Sequence, residues 1–265
     1  MKFTHDPQVL RSIYPLSAAI ALCSVLACPA AAFAAHPLIT DDAGTIGAGR
    51  YQLEINGEYG HEKEDGVTTE TTQGAASLSY GLNESVDLVV GLPYQHIRDT
   101  DDTTVMTDHG FSDTSLEVKW RFYERDDWSL AIKPGLTLPT GDDEAGLGAG
   151  KVSYSLFSIV SKEMKPWAFH LNLGYIRNEN TLDEAKDIWH ASIASTFAVT
   201  DSLTAVANLG VESNTDDLAG TDPSFLLAGL IYALSEGFDL DCGIKYGLNS
   251  AETDYSLLAG ITLKF

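Results

Sequence analysis

The sequence is poor in basic side chains and in cysteine. Its 265 residues hold 16 Lys and Arg against 38 Asp and Glu, for a net charge of −22. So acidic a chain repels phosphate backbones, which excludes nucleic acid as a partner. Of three cysteines, two lie in the first 34 residues. If that segment is removed, Cys242 is left alone and no intramolecular disulfide can form.

Long apolar segments are also missing. Beyond residue 34, the longest uninterrupted apolar run is Phe225 to Leu234. That run is too short for a membrane helix of about 20 residues, but it matches a tilted barrel strand of about 9–11 residues. Helical periodicity at i, i+3 and i+4 is sustained nowhere, so the pattern predicts an all-β chain.

The N-terminus is typical of a secretory signal peptide, predicted over residues 1–34. Lys2 and Arg11 precede an apolar run, and Ala32-Phe33-Ala34 is a cleavage site of small residues. A lipoprotein signal at Cys28 is an alternative with a weak lipobox. Without its two basic residues and one acidic residue, the mature chain holds 14 basic and 37 acidic residues, a net charge of −23.

A period of two residues dominates the mature chain. In Leu116–Tyr123, apolar Leu, Val, Trp and Phe alternate with Glu, Lys and Arg. Such a strand needs an apolar environment on one face and water on the other. The last segment, Tyr255–Phe265, alternates in the same way and ends on an aromatic residue. That ending, with Gly260, Leu263 and Phe265, is similar to the signal that barrel-assembly machinery reads.

The pattern predicts twelve strands joined alternately by long loops and short turns. The strands are 51–59, 73–80, 86–94, 116–123, 128–138, 151–161, 166–176, 188–199, 203–212, 223–234, 238–247 and 255–265. The long loops are 61–72, 99–112, 140–150, 177–187, 213–222 and 248–254. This layout is typical of an outer-membrane barrel with external loops. Four tryptophans near strand ends on the apolar parity fit an interfacial girdle: Trp120, Trp128, Trp167 and Trp189.

The sequence therefore predicts a transmembrane antiparallel up-and-down β-barrel of about 12 strands. We expect three parts: a signal peptide (1–34), a periplasmic lead-in segment (35–50) and the barrel (51–265). The expected location is the outer membrane of a Gram-negative bacterium, reached by secretion to the periplasm. The expected partners are outer-membrane lipid, lipopolysaccharide, the barrel-assembly machinery and a small-molecule solute.

Several motifs resemble the outer-membrane family named for the meta-pathway of phenol degradation. They are His36-Pro-Leu-Ile-Thr-Asp-Asp-Ala-Gly-Thr-Ile-Gly-Ala-Gly49, Tyr51-Gln-Leu-Glu54, Leu138-Pro-Thr-Gly141 and Gly146-Leu-Gly-Ala-Gly150. The resemblance covers essentially all of the mature chain. It implies an outer-membrane barrel that passes hydrophobic or aromatic compounds, and it assigns no binding residue.

Polar residues that alternate with the apolar residues of the strands, and so face away from lipid, are candidates to line the lumen. They are Glu54, Glu58, Glu117, Lys119, Arg121, Lys133, His170, Asn172, His190 and Ser192. His190 and Ser192, with Asn172 opposite, also contain the parts of an acyl-transfer site. That group points away from lipid, so we expect no catalytic residue and no enzyme. The acidic clusters 101–102, 142–144 and 216–217 lack the spacing of a calcium loop, so we expect no metal and no cofactor.

The favoured function is a passive uptake channel for small, hydrophobic or aromatic compounds. One alternative is an outer-membrane lipid acyl hydrolase. The other is a closed structural or adhesive barrel whose acidic loops carry the function. An open lumen would distinguish the first from the last.

Overall fold

The protein is described by a computed structural model covering residues 36–64, 66–101, 104–216 and 219–265. The predicted signal peptide lies outside these residues. The described chain forms one antiparallel sheet without helices. Its strands are β1 (Tyr51–Glu64), β2 (Val67–Asn83), β3 (Val86–Thr100), β4 (Val105–Phe111), β5 (Thr114–Arg125), β6 (Trp128–Leu138), β7 (Ser153–Met164), β8 (Trp167–Arg177), β9 (Asp187–Ala198), β10 (Leu203–Glu212), β11 (Ser224–Ser235), β12 (Phe238–Gly247) and β13 (Tyr255–Lys264).

The sheet closes through its first and last strands. β1 pairs with β13 from Gln52↔Lys264 to His61↔Tyr255. The backbones of Tyr51 and Phe265 exchange two further hydrogen bonds, of 3.2 and 2.9 Å. The C-terminal strand, which was predicted from its alternation, therefore closes the barrel. Closure matters because no strand edge of a spanning sheet can be left unpaired in lipid.

The prediction of about twelve strands is also confirmed, since two of the thirteen share one position in the wall. β5 pairs with β3 over Val86–Gly91, and β4 pairs with β3 over Tyr94–Thr100. β4 and β5 are thus two parts of one wall position, interrupted at residues 112–113.

Two predicted loops are wrong. Residues 61–72 belong mostly to β1 and β2, which pair up to Glu64↔Val67. Residues 99–112 mostly form the end of β3 and β4. These extensions carry many polar residues on both faces and little regular apolar alternation, although their β-branched threonines favour strands.

The wall has two chemically different faces, as β8 shows. Its outward side chains are apolar and exposed: Trp167, Phe169, Leu171 and Leu173. Its inward side chains are small or polar and buried: Ala168, His170, Asn172 and Gly174. The four tryptophans of the predicted girdle are all exposed, between 45% and 63%. No helix among the described residues is long and apolar enough to cross a membrane.

Candidate functional site

The lead-in segment, of which the structure describes residues 36–50, lies against the inner face of the wall. It is non-periodic in sequence and forms no strand, so its backbone groups need partners elsewhere. Side chains of the wall supply many of them. No sequence pattern predicts a role for this segment in the lumen; its assignment as a periplasmic lead-in stays a prediction.

One end of the segment is held at β11 and β12. His36 Nδ1 lies 2.5 Å from Asp241 Oδ1 on β12. Pro37 is almost fully buried and faces Gly229 and Gly243, which are paired across the two strands. A Cβ on either glycine would lie 2.6 or 2.9 Å from the proline ring. Only glycine leaves room for the chain at this point.

The middle of the segment is held by neutral hydrogen bonds. Asn208 Oδ1 on β10 accepts from the backbone N–H of Ile39 and of Thr40, at 2.8 and 2.9 Å. Asn208 Nδ2 donates to Thr40 Oγ1 (2.6 Å), and that hydroxyl donates to Ser192 Oγ on β9 (2.7 Å). Ser161 on β7 accepts from the N–H of Ala43 at 2.8 Å. β7, β9 and β10 therefore each bind the segment through uncharged groups.

Asn172 on β8 completes this contact. Its amide, oriented so that both ends are satisfied, donates to the carbonyl of Asp41 (2.8 Å) and accepts from the N–H of Asp41 (2.7 Å). The backbone of Asp41 is thus paired as if by a neighbouring strand. We call the wall from β7 to β12 the docked half of the barrel.

The opposite wall, from β1 to β6, meets the segment through charges. Asp41 projects to Lys119 Nζ on β5 (2.8 Å) and Lys133 Nζ on β6 (3.0 Å). Lys133 also lies 3.6 Å from Glu117. Burial alone would raise the pKa of Asp41, but the two lysines outweigh it and hold the pKa well below its usual range. We call this wall the cavity half, because space remains beside it.

Asp42 has a different environment. Its side chain is 1% exposed, and Oδ1 accepts from the N–H of Gly44. The nearest cation, Lys119, is 3.9 Å away. Burial raises the pKa of Asp42 to about 7. The pKa values of these adjacent carboxyl groups are therefore shifted in opposite directions, because only Asp41 meets both lysines.

A cavity of about 230 Å³ lies between the segment and the cavity half. Polar wall residues dominate its lining, with Leu38, Ile39, Ile46 and Val89 as an apolar part. The charged lining residues are Asp41, Glu54, Asp87, Glu117, Lys119 and Lys133, with His36 at one side. The lumen is thus narrowed by the segment, and space remains on one side of it.

The predicted lumen residues fall into three groups. Glu54, Glu117, Lys119 and Lys133 line the cavity. Asn172, Ser192 and His190 lie in the docked half, and His170 is buried there against Ser161 at 2.9 Å. Glu58 and Arg121 lie elsewhere: Glu58 pairs with Lys245 at 3.1 Å, and Arg121 donates to the carbonyl of Glu84 in the turn after β2. Their roles in passage stay predictions.

The His190–Ser192 pair makes the contact that its spacing suggests. His190 Nε2 lies 2.9 Å from Ser192 Oγ, and Nδ1 lies 3.0 Å from Glu212 Oε2. The third group is Glu212, opposite His190 on β10, rather than Asn172. Ser192 is only 3% exposed and is covered by the hydroxyl of Thr40. The arrangement continues the hydrogen bonds that hold the segment.

Sequence reasoning missed several residues that the lumen brings together. They are Thr40, Asp41, Ser161, Asn208, Glu212 and Asp241. A polar residue on the inward parity was the available signal for those of the wall. Nothing in the lead-in itself shows periodicity. Among the described residues, no group of three His, Cys, Asp or Glu is placed to hold a metal ion.

Comparison with known proteins agrees with this architecture. The model of the family described as "Putative MetA-pathway of phenol degradation" matches residues 37–265. The chain belongs to this family. The match begins at Pro37, so it includes nearly all of the lead-in segment. A comparison with curated proteins finds no match.

Solved barrels share the fold of this chain. The COG4313 outer membrane channel from Pseudomonas putida F1 is similar at a TM-score of 0.69 and 15% identity, covering 84% of this chain and 98% of that one. The NanC porin has a TM-score of 0.57 and 12% identity, covering 80% of this chain and 100% of that one. The KdgM porin has a TM-score of 0.56 and 8% identity, covering 81% of this chain and 99% of that one. At these identities the likeness shows a shared barrel fold.

Proposed function

We propose that this family member is an outer-membrane channel that passes small aromatic compounds by diffusion through its lumen. The observation that carries the proposal is the cavity of about 230 Å³ beside the lead-in segment. The family description, which refers to phenol degradation, and the likeness to barrels named as a channel and as porins support it.

The size of the cavity favours solutes with one ring. An engineered protein cavity of about 150 Å³ binds benzene, so a space of about 230 Å³ holds one such ring. Three apolar residues of the segment, together with Val89 and the polar groups of the wall, suit a ring with a hydroxyl group. A solute with several rings would need the segment to move.

A hydrolase is the weaker hypothesis. Ser192, His190 and Glu212 have the spacing of a nucleophile, a base and an orienting carboxylate. Acyl transfer also needs N–H donors for the oxyanion, but Ser192 lies within paired strands whose N–H groups belong to the sheet. Thr40 also covers the hydroxyl. A fluorophosphonate probe should therefore leave Ser192 unlabelled in the folded barrel.

The membrane environment completes the proposal. The apolar outer face fits outer-membrane lipid, with lipopolysaccharide near the acidic loops. Gly260, Leu263 and Phe265 lie in or directly after the closing strand β13, where the assembly machinery would read them. Their role as a signal stays a prediction.

Liposome swelling tests the channel directly. Phenol and a series of sugars are compared in liposomes with the folded protein, with heat-unfolded protein and without protein. The lipid-only rate is subtracted, because phenol crosses lipid by itself. We expect phenol to enter through the protein faster than any disaccharide. Equal rates with folded and unfolded protein would refute the channel.

A further inference from the structure

The charges around the cavity are unbalanced. Four carboxylates line it, but only two lysines do. Both lysines are already engaged by Asp41, and Lys133 by Glu117 as well. Two carboxylates of the wall therefore remain, Glu54 on β1 and Asp87 on β3.

Asp87 has a structural role. Its Oδ2 accepts from the N–H of Ile46 at 3.0 Å, which holds the end of the lead-in segment. Glu54 has no such role. Its Oε1 accepts from Nε2 of Gln52 at 2.8 Å, and no Lys, Arg or His of the described residues lies within ion-pair distance of it. Among the lining carboxylates, Glu54 forms neither an ion pair nor a hydrogen bond with the segment among the described residues.

Hydrogen-bond acceptors are also in excess around the cavity. Gln52, 7% exposed, and Asp87, 3% exposed, both line it. Gln52 Oε1 and Asp87 Oδ1 accept no hydrogen bond from any described residue. A solute that brings positive charge or donors meets a favourable surface here, whereas an anion meets the opposite.

We propose that the cavity is the narrowest part of the channel and that Glu54 makes it selective for cations, including protonated organic amines. This inference rests on the proposed channel. In a narrow passage with low-dielectric walls, a single uncompensated charge acts strongly on an ion that must pass within a few ångströms. Glu54 is thus a specificity-determining residue.

Glu58 offers a matched control. It lies on β1 four residues beyond Glu54, on the same face, but it pairs with Lys245 at 3.1 Å and does not line the cavity. Glu54→Gln and Glu58→Gln remove the same charge from the lumen. They differ in whether the carboxylate lines the cavity and in whether it forms an ion pair.

The test is the reversal potential of single barrels in a planar bilayer under a potassium chloride gradient. We expect Glu54→Gln to lower the potassium-to-chloride permeability ratio about three- to tenfold, as an uncompensated charge a few ångströms from the ion would. Glu58→Gln should change it less than about twofold, because Glu58 does not line the cavity and Glu252 still pairs with Lys245 after the substitution. The effect of Glu54→Gln should persist in 1 M salt, because buried charges are screened less than exposed ones.

Equal effects of the two substitutions, or an unchanged ratio in Glu54→Gln, would overturn the role of Glu54 while leaving the channel in place. A folded wild-type barrel that conducts no ions would overturn the channel and this inference together. Heat-modifiable migration in electrophoresis confirms that each variant is folded.

Discussion

The two halves of the barrel wall hold the same segment by different means. Over residues 39–43 the docked half uses Ser161, Asn172, Ser192 and Asn208, all uncharged. Its one carboxylate contact is that of Asp241 with His36, at the start of the described segment. The cavity half uses Lys119 and Lys133 against Asp41. Neutral hydrogen bonds follow the backbone closely and leave no space, whereas long charged side chains reach across a gap. The cavity therefore lies on the charged side, and a solute that enters it is exposed to charge.

The largest effect should come from removing the segment. The wall closes through β1 and β13, so the barrel should fold without residues 36–46. We expect their deletion to raise single-channel conductance severalfold, because the segment narrows the lumen. Conductance in a planar bilayer measures this, with migration before and after boiling as the control for folding. An unchanged conductance would mean that the segment does not narrow the path.

The next prediction compares the halves directly. Lys119→Met leaves Asp41 with one lysine in a buried site, and breaking a buried ion pair costs about 3–5 kcal/mol. Thr40→Val removes two neutral hydrogen bonds on the docked side, at about 1 kcal/mol each. We therefore expect Lys119→Met to release the segment from the wall more than Thr40→Val does.

Release can be measured by maleimide labelling of A43C, because Ala43 is 0% exposed while the segment is docked. Cys242, which is exposed, is replaced by serine to remove background. Lys245→Met is the matched control, since Lys245 pairs with Glu58 and Glu252 and not with the segment. Faster labelling in Thr40→Val than in Lys119→Met would reverse the comparison.

Much of the wall can be predicted from the sequence. Segments such as Leu116–Tyr123 and Tyr255–Phe265 alternate because one face meets lipid and the other the lumen, and both are strands. The ends of β1 to β4 could not be predicted in the same way. Polar residues are frequent on both of their faces, which weakens the alternation on which the prediction depends.

The lumen was less predictable. Inward parity identified His190 and Ser192, but their third partner depends on strand register, which places Glu212 opposite His190. The docking of the lead-in segment depends on contacts across more than a hundred residues, such as Thr40 with Asn208. No local pattern encodes such contacts. Composition alone also cannot tell Glu54 from Glu58, which differ in whether a lysine reaches them.

A change of pH should have a smaller effect on the docking of the segment, through Asp42. Its pKa is about 7 when docked, against 3.8 ordinarily, so the docked segment binds a proton that the released segment gives up between about pH 4 and 7. Docking is therefore strongest at the acidic end of this window and weakens as pH rises to 7. The lowered pKa of Asp41 acts oppositely, but only below its ordinary pKa. The part of the change from pH 5 to 8 that is due to Asp42 is found by comparison with a variant that lacks this carboxyl group.

The same labelling assay measures this change. Thiolate formation speeds labelling as pH rises, so each rate is compared with that of Asp42→Asn at the same pH. The groups that act on Asp42 are Lys119, Asp41, Glu163 and the N–H of Gly44. We expect labelling to rise more steeply from pH 5 to 8 in the protein with Asp42 than in Asp42→Asn. Parallel pH profiles would contradict the assignment.

The smallest effect, on ion selectivity, should come from the acidic loops, which we call the mouth of the barrel. The six predicted long loops hold 20 acidic residues and three basic ones, and a negative mouth concentrates cations. Glu144 and Asp183 are exposed acids of two of these loops and form no ion pair among the described residues. Asn tolerates the positive φ of 59° at Asp183. We expect the double variant Glu144→Gln with Asp183→Asn to lower the potassium-to-chloride permeability ratio by less than about twofold at 0.1 M salt. At 1 M salt it should leave the ratio unchanged, because the screening length falls from about 10 to about 3 Å.

The contributions of the mouth and the cavity to selectivity can thus be separated by salt. A cation preference that disappears at 1 M comes from the loops, and one that remains comes from the lumen. A double loop variant that lowers the ratio as much as Glu54→Gln at 1 M would place selectivity at the mouth.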